Sequence, residues 1–293
     1  MAPAVRDRAR FYLARIGYQR GYYEAALRNL ELVEQPLAGK LEPEKRLLEA
    51  NVLMGLGRYG EAAKRLESWS DNGGWSNYAR FNLGVALVRA GETARGRQFL
   101  EQVGTMQAAN EEQASLRDRA NLAIGFALLQ QQGGEDPAAA LSRVRLDGPF
   151  TNKALLALGW AEANASRPDR ALVPWLELQQ RKLLDASVQE SLIAVPYAYV
   201  KLASNGQASE HYRSAVDAYA RESRRIDESI AAIRQGGFLD SILATVPQGD
   251  RPGWFWQLEQ LPDAPHTRYL YHLLASHEFQ EGLKNYRDLR LMQ

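Results

Sequence analysis

The 293-residue chain contains no cysteine. That excludes structural disulfides, thiolate metal sites and a cysteine nucleophile. It leaves the compartment open, because cytosolic and periplasmic chains alike can lack the residue. No apolar run approaches the ~18 residues of a membrane span, and the opening MAPAVRDRAR has no hydrophobic signal core. An excess of charge is missing too: 36 basic residues face 35 acidic ones, for a net charge of +1. A dedicated nucleic-acid binder normally shows a strong basic excess. Valine, isoleucine and threonine are sparse, whereas leucine, alanine, glutamate, glutamine and arginine are abundant. With 45% apolar residues, this composition predicts an almost wholly helical chain with apolar surface enough for a core. There is no GxSxG, no P-loop, and no carboxylate pair that stands out from solvated helix faces.

What is present is a repeat. Residues 155–178, LLALGWAEANASRPDRALVPWLEL, show it most fully. A helix carrying Leu158 and Gly159 is followed by a turn at Arg167-Pro168-Asp169, since proline lacks the donor that a helix interior needs. A second helix then carries Ala171, Trp175 and Leu178. The stretch resembles one tetratricopeptide repeat (TPR), a helix-turn-helix of ~34 residues. Earlier units follow the same plan. The first has Leu13, Ala14, Gly21, Tyr23, Ala26 and Leu30, and the second Ala50, Gly57, Tyr59, Ala62, Leu66 and Trp69. The third has Leu83, Gly84, Gly91, Gly96 and Leu100. Its turn glycine lies 34 residues after Gly57, which lies 36 after Gly21. A fourth unit, 116–144, has Gly125 where the third has Gly84. Its enlarged turn, 133–137, contains Asp136, which can cap a helix starting at Pro137.

The sixth unit, 187–218, has Ala208, Tyr212 and Ala215 at the expected offsets. It places Pro196 where a small contact residue belongs, which predicts a kinked or restarted helix. The period breaks over 216–263, where a charged helical stretch gives way to the breakers of 246–253 and the run Trp254-Phe255-Trp256. A last unit, 266–289, carries Phe279, Gly282 and Tyr286. The expected organisation is a TPR-like solenoid over 1–215, a long helix with an irregular insert over 216–263, and a truncated repeat over 264–293. Because the pattern starts near Arg8 and runs to the last residue, the sequence is expected to be a piece of a longer protein.

The resemblance implies an all-α, right-handed superhelical solenoid whose first helices line a concave groove. Carried over residue by residue, the groove positions are Arg15 and Tyr18, Asn51, then Tyr78, Phe81 and Arg89. Farther along they are Lys153, Trp160 and Asn164, then Tyr197 and Lys201, then Tyr271. A lining of aromatics, amides and cations suits an extended peptide or a helix. The family's carboxylate grip needs Lys and Asn four apart on successive first helices. Here Leu47 stands four before Asn51, and Ala157 four after Lys153, so that ligand class is not expected.

Three motifs suggest chemistry and are better explained by the repeat. Residues 55–60, GLGRYG, match G-x-G-x-x-G, but a helix precedes them where a dinucleotide site needs a strand. His277-Glu278 opens a zinc-like motif that ends in Glu281, with His266 and His272 off its helix face. Gln189-Glu190-Ser191 is similar to the catalytic start of soluble lytic transglycosylases, whose glycine-rich follow-up is absent. The basic cluster Arg6, Arg8, Arg10, Arg15 and Arg20 reads as a solvated face. The expected function is a non-catalytic adaptor or assembly scaffold with a protein or peptide partner. It is expected to need no cofactor and no metal, and to bind no nucleic acid. The Arg- and Ala-rich style suggests a bacterial periplasmic or envelope setting. The alternatives are an accessory domain of a cell-wall enzyme and an intracellular peptide-sensing regulator.

Overall fold

The computed structural model describes residues 2–69, 73–131, 135–235, 237–244 and 267–292, and every regular element among them is an α-helix. The chain forms two compact units, Met1–Asn205 and Gly206–Gln293.

The first unit is a stack of helix pairs. These are α1 (Pro3–Gln19) with α2 (Tyr23–Glu31), α3 (Leu41–Gly55) with α4 (Tyr59–Glu67), and α5 (Ser76–Arg89) with α6 (Thr93–Gly104). Then come α7 (Glu111–Gln130) with α8 (Pro137–Leu141), α9 (Thr151–Asn164) with α10 (Pro168–Gln179), and the single helix α11 (Ala186–Lys201). Each second helix packs on its own partner and on the next first helix. The first helices also touch in series, α1 on α3, α3 on α5, and so on to α11. That is the packing of a TPR-type helical solenoid, in which no pair buries its apolar face alone.

The turns show how the sequence sets this. Gly21, Gly57 and Gly91 take φ of 77°, 74° and 93°, a left-handed conformation that costs glycine little because it has no Cβ. In each case the next amide reaches back to a carbonyl one turn inside the helix: Tyr22 to Gly17, Arg58 to Leu53, Glu92 to Leu87. The same bond closes α9 (Arg167 to Glu162) and α11 (Ser204 to Tyr199). There Ser166 (φ 58°) and Ala203 (φ 57°) stand in for glycine. The fifth turn is thus made at Ser166, and Pro168 opens α10 at its first turn. The fourth turn is capped as expected: Asp136 accepts the Ala138 N–H at 2.9 Å.

A second register fixes the pairs. A Cβ on Gly84 would lie 2.7 Å from Leu100, one on Gly125 2.3 Å from Leu141, and one on Gly159 2.1 Å from the Trp175 indole. Each partner sits 16 residues after its glycine. The glycine makes the slot that a large second-helix side chain fills. Trp175, fully buried, donates its indole N–H to the Leu156 carbonyl at 3.2 Å. The kink or restart expected at Pro196 is not a restart, because α11 runs as one helix through that buried residue. Two buried carboxylates tie the loops down. Asp7 accepts the N–H groups of Glu34 and Gln35 at 3.2 and 3.1 Å, and Asp118 pairs with Arg145 at 2.7 Å.

The second unit opens with α12 (Asn205–Arg234), one continuous helix across the position where the repeat period was expected to break. It also holds α13 (Phe238–Ala244), α14 (Tyr271–Leu274) and α15 (His277–Leu291). Ile242 of α13, Leu274 and Leu283 form one core with Phe238, Leu270 and Phe279 around it. The last repeat therefore shares its core with a helix that the sequence reading assigned to the insert. Gly282, expected as a close-contact residue, has nothing within 4 Å of where its Cβ would be. Residues 246–253, Trp254-Phe255-Trp256, His266, Gly236 and parts of the expected loops (Asp71, Asn72, Gly133, Gly134) lie outside the described residues.

Candidate partner-binding face

The 16-residue register gives every first helix of the first unit a common origin. The small or contact residues are Ala14, Ala50, Gly84, Gly125, Gly159 and Pro196, all buried, the three glycines directly beneath their partners. Positions six before, one after and five after this origin fall on one helix side, because they are spaced by seven and four residues. Most of the expected groove residues lie in these three rows. Tyr78 and Lys153 occupy the first row, Arg15, Asn51, Trp160 and Tyr197 the second, and Arg89, Asn164 and Lys201 the third.

The structure brings several of these together. Trp160 lies 4.9 Å from the Trp175 ring, edge to face, and 5.8 Å from Tyr197. Lys201 sits over the Tyr197 ring at 5.4 Å, and the Trp160 indole N–H donates to Glu190 at 2.7 Å. Asn51 accepts a 2.7 Å hydrogen bond from Asn82. Tyr78 donates to Glu112. Burial, with that bond adding, pushes the Tyr78 phenol up to about 12. Arg89 lies over Tyr59 and donates to its hydroxyl at 3.1 Å. Tyr18 packs on Tyr23 at 5.8 Å. Burial raises its phenol, Tyr23 adds to the rise, and the Arg119 guanidinium of α7 opposes it. Arg119 covers the Phe81 ring at 4.9 Å.

Other expected residues are placed apart from these clusters. Phe81 is 4% exposed and packs in the core with Leu116 and Ala120, so it backs the wall. Lys153 and Asn164 are exposed. Tyr271, on α14 of the second unit, is 61% exposed. The sequence reading missed Arg119, Phe126, Tyr12, Asn82 and Glu112. A signal for the first two was present, since Arg119 precedes Gly125 by the six residues that separate Tyr78 from Gly84. Phe126, 43% exposed, follows Gly125 as Trp160 follows Gly159. Glu112 and Asn82 act through neighbouring helices, which spacing within one helix cannot reveal.

The three decoy motifs have plain surroundings. Gly57 is a helix-ending residue between α3 and α4, and no atom comes within 4 Å of a Cβ on Gly60. His277 faces Glu281 at 3.5 Å, and no group of three or more His, Cys, Asp or Glu among the described residues could hold a metal. Glu190 is exposed, whereas a general-acid carboxyl needs burial to stay protonated. Leu47 and Ala157, at the two positions where the carboxylate grip needs a cation, are buried. No helix among the described residues is long and apolar enough to cross a membrane.

No family model and no curated protein matches the chain. Among solved structures it is similar to "MamA MSR-1 C2", at 22% identity and a TM-score of 0.44, over 61% of this chain and 95% of that one. It is also similar to "MamA AMB-1 P212121", at 21% identity and a TM-score of 0.45, over 60% of this chain and 95% of that one. The fold assignment stands on the chain's own geometry: paired helices, left-handed turn residues, and a glycine slot filled 16 residues later.

Proposed function

We propose that the chain is a non-catalytic scaffold whose first-helix face binds a protein or peptide partner and so helps assemble a larger complex. The observation that carries this is the cluster on α9 and α11. Trp160 is half-buried against Trp175, next to the exposed Tyr197 and Lys201. Large aromatics held rigidly at the edge of solvent, with cations and amides around them, are the residues that anchor protein interfaces. Trp160 loses little freedom on binding, because the Trp175 ring and Glu190 already fix it. A place in a bacterial envelope complex belongs to the same proposal and rests on composition.

The test uses the tagged full-length protein, mild crosslinking and mass spectrometry of what co-purifies. The expected result is one abundant partner that the Trp160→Ala/Tyr197→Ala variant recovers at least about tenfold less, as loss of an aromatic anchor implies. Circular dichroism must show that variant still helical. A partner retained equally by both proteins would sink the reading.

A further inference from the structure

The cations of the three rows differ from most of those elsewhere in the first unit. The rows hold Arg8, Arg15, Arg89, Arg119, Lys153 and Lys201, against two carboxylates, Glu44 and Glu190. None of the six cations forms an ion pair among the described residues. Five lie over aromatic rings instead: Arg8 and Arg15 over Tyr12 at 5.7 and 5.1 Å, Arg89 over Tyr59, Arg119 over Phe81, and Lys201 over Tyr197. Away from these rows most arginines of the first unit are paired with carboxylates. Arg58 pairs with Glu61, Arg95 with Glu67 and Glu92, Arg143 with Glu101, Arg145 with Asp118 and Glu111, and Arg167 with Glu162 and Asp136. A ring holds a guanidinium in place while leaving its charge and its N–H donors available. One face thus keeps positioned, uncompensated positive charge inside a chain that is nearly neutral overall.

We infer that this face takes an extended peptide segment rich in aspartate and glutamate, with Arg15 and Arg119 meeting its carboxylates. The inference rests on the partner-binding reading above and names the chemistry of the partner. Arg15 on α1 and Arg119 on α7 lie in these rows, each held over a ring, Tyr12 at 5.1 Å and Phe81 at 4.9 Å, and the Arg119 charge acts on the Tyr18 phenol of α1. The hydrogen-bonded Asn51–Asn82 amides lie on helices between them, where a peptide backbone needs a donor and an acceptor. A phosphodiester strand fits less well. Its charge recurs at every nucleotide, and Glu44 and Glu190 sit in the same rows as the cations.

The experiment selects a random 12-residue displayed peptide library on the full chain, with the Arg15→Gln/Arg119→Gln variant and the Trp160→Ala/Tyr197→Ala variant alongside. A fluorescein-labelled 20-residue oligothymidylate is titrated in parallel. The expected pool is enriched about twofold or more in Asp and Glu over the input. Individual acidic peptides should then bind the arginine variant about tenfold more weakly, and should weaken further between 0.1 and 0.5 M salt, as roughly expected for screened charge pairs. Peptides that need Trp160 and Tyr197 but show no acidic excess would overturn the charge inference and leave the binding face standing. A pool with no enrichment at all would overturn both. Oligothymidylate binding that is tighter than the best peptide and lost with the two arginines would replace the acidic peptide by a nucleic acid.

Discussion

Gly159 shows how far a single residue was legible. The Leu158-Gly159 pair marked it as a close-contact position, yet its neighbour across the contact, the indole of Trp175, becomes visible only in three dimensions. A methyl at Gly159 would lie 2.1 Å from that ring, and the ring is fully buried, so it has nowhere to go. Overpacking of a close-packed core costs about 1–3 kcal/mol. Gly159→Ala should therefore unfold at lower denaturant than the parent, in an equilibrium urea titration followed by circular dichroism. Trp175→Leu alone opens a cavity and is also destabilising. Combined, the two should cost clearly less than their sum, because the methyl occupies space that the ring has vacated. Additive costs would mean that the glycine slot is not what the indole fills. Phe81 went the other way: helical spacing put it among the groove positions, but spacing alone cannot tell a wall residue from the core residue behind it.

At the scale of elements, caps were readable and continuity was not. Asp136 before Pro137 announced the start of α8, and the carboxylate does accept the Ala138 amide. That bond, with Arg167 adding and burial opposing, holds the Asp136 carboxyl below the usual aspartate range. Burial pushes Asp7 upward, but the Gln35 N–H, the Arg6 guanidinium and the Glu34 N–H more than offset it, and its carboxyl too sits low. A lowered folded-state value means that the stabilisation is present above the ordinary aspartate range and is lost as pH falls through the lowered value. Thermal melts from pH 7 to pH 3 should show a falling acid limb. Asp136→Ala should cost about 1 kcal/mol at pH 7, the usual size of an N-cap. The gap between the two proteins should narrow toward pH 3, and a gap independent of pH would refute the cap assignment. By contrast, α11 continues through Pro196 against local propensity, and α12 joins the last second helix of the repeat pattern to the long charged helix expected after it. At Pro196 tertiary burial outweighs the local cost. Pro196 is buried, and along α12 the buried Ala208, Ala215, Glu222 and Ser229 recur every seven residues.

For the whole molecule, the repeat period carried the architecture: glycine spacings of 36 and 34 residues, fixed before any coordinate, are the spacings of left-handed turns in the fold. What the period could not supply was the grouping of α13 with α14 and α15, since its own pattern ends before them. One feature of the first unit bears on how it would behave in an assembly under load. Its helices pack on sequence neighbours and on the next first helix along, so few of its contacts join distant parts of the chain. Tension applied between Pro3 and Lys201 would therefore load the interfaces one after another. Pulled in an optical trap, the unit should lengthen in several small steps, each near the release of one ~34-residue pair, and rewind under modest relaxation. A single all-at-once rupture would contradict that. Its stacked pairs would act as a compliant spring, letting a tethered partner move over many ångströms while the remaining pairs stay folded.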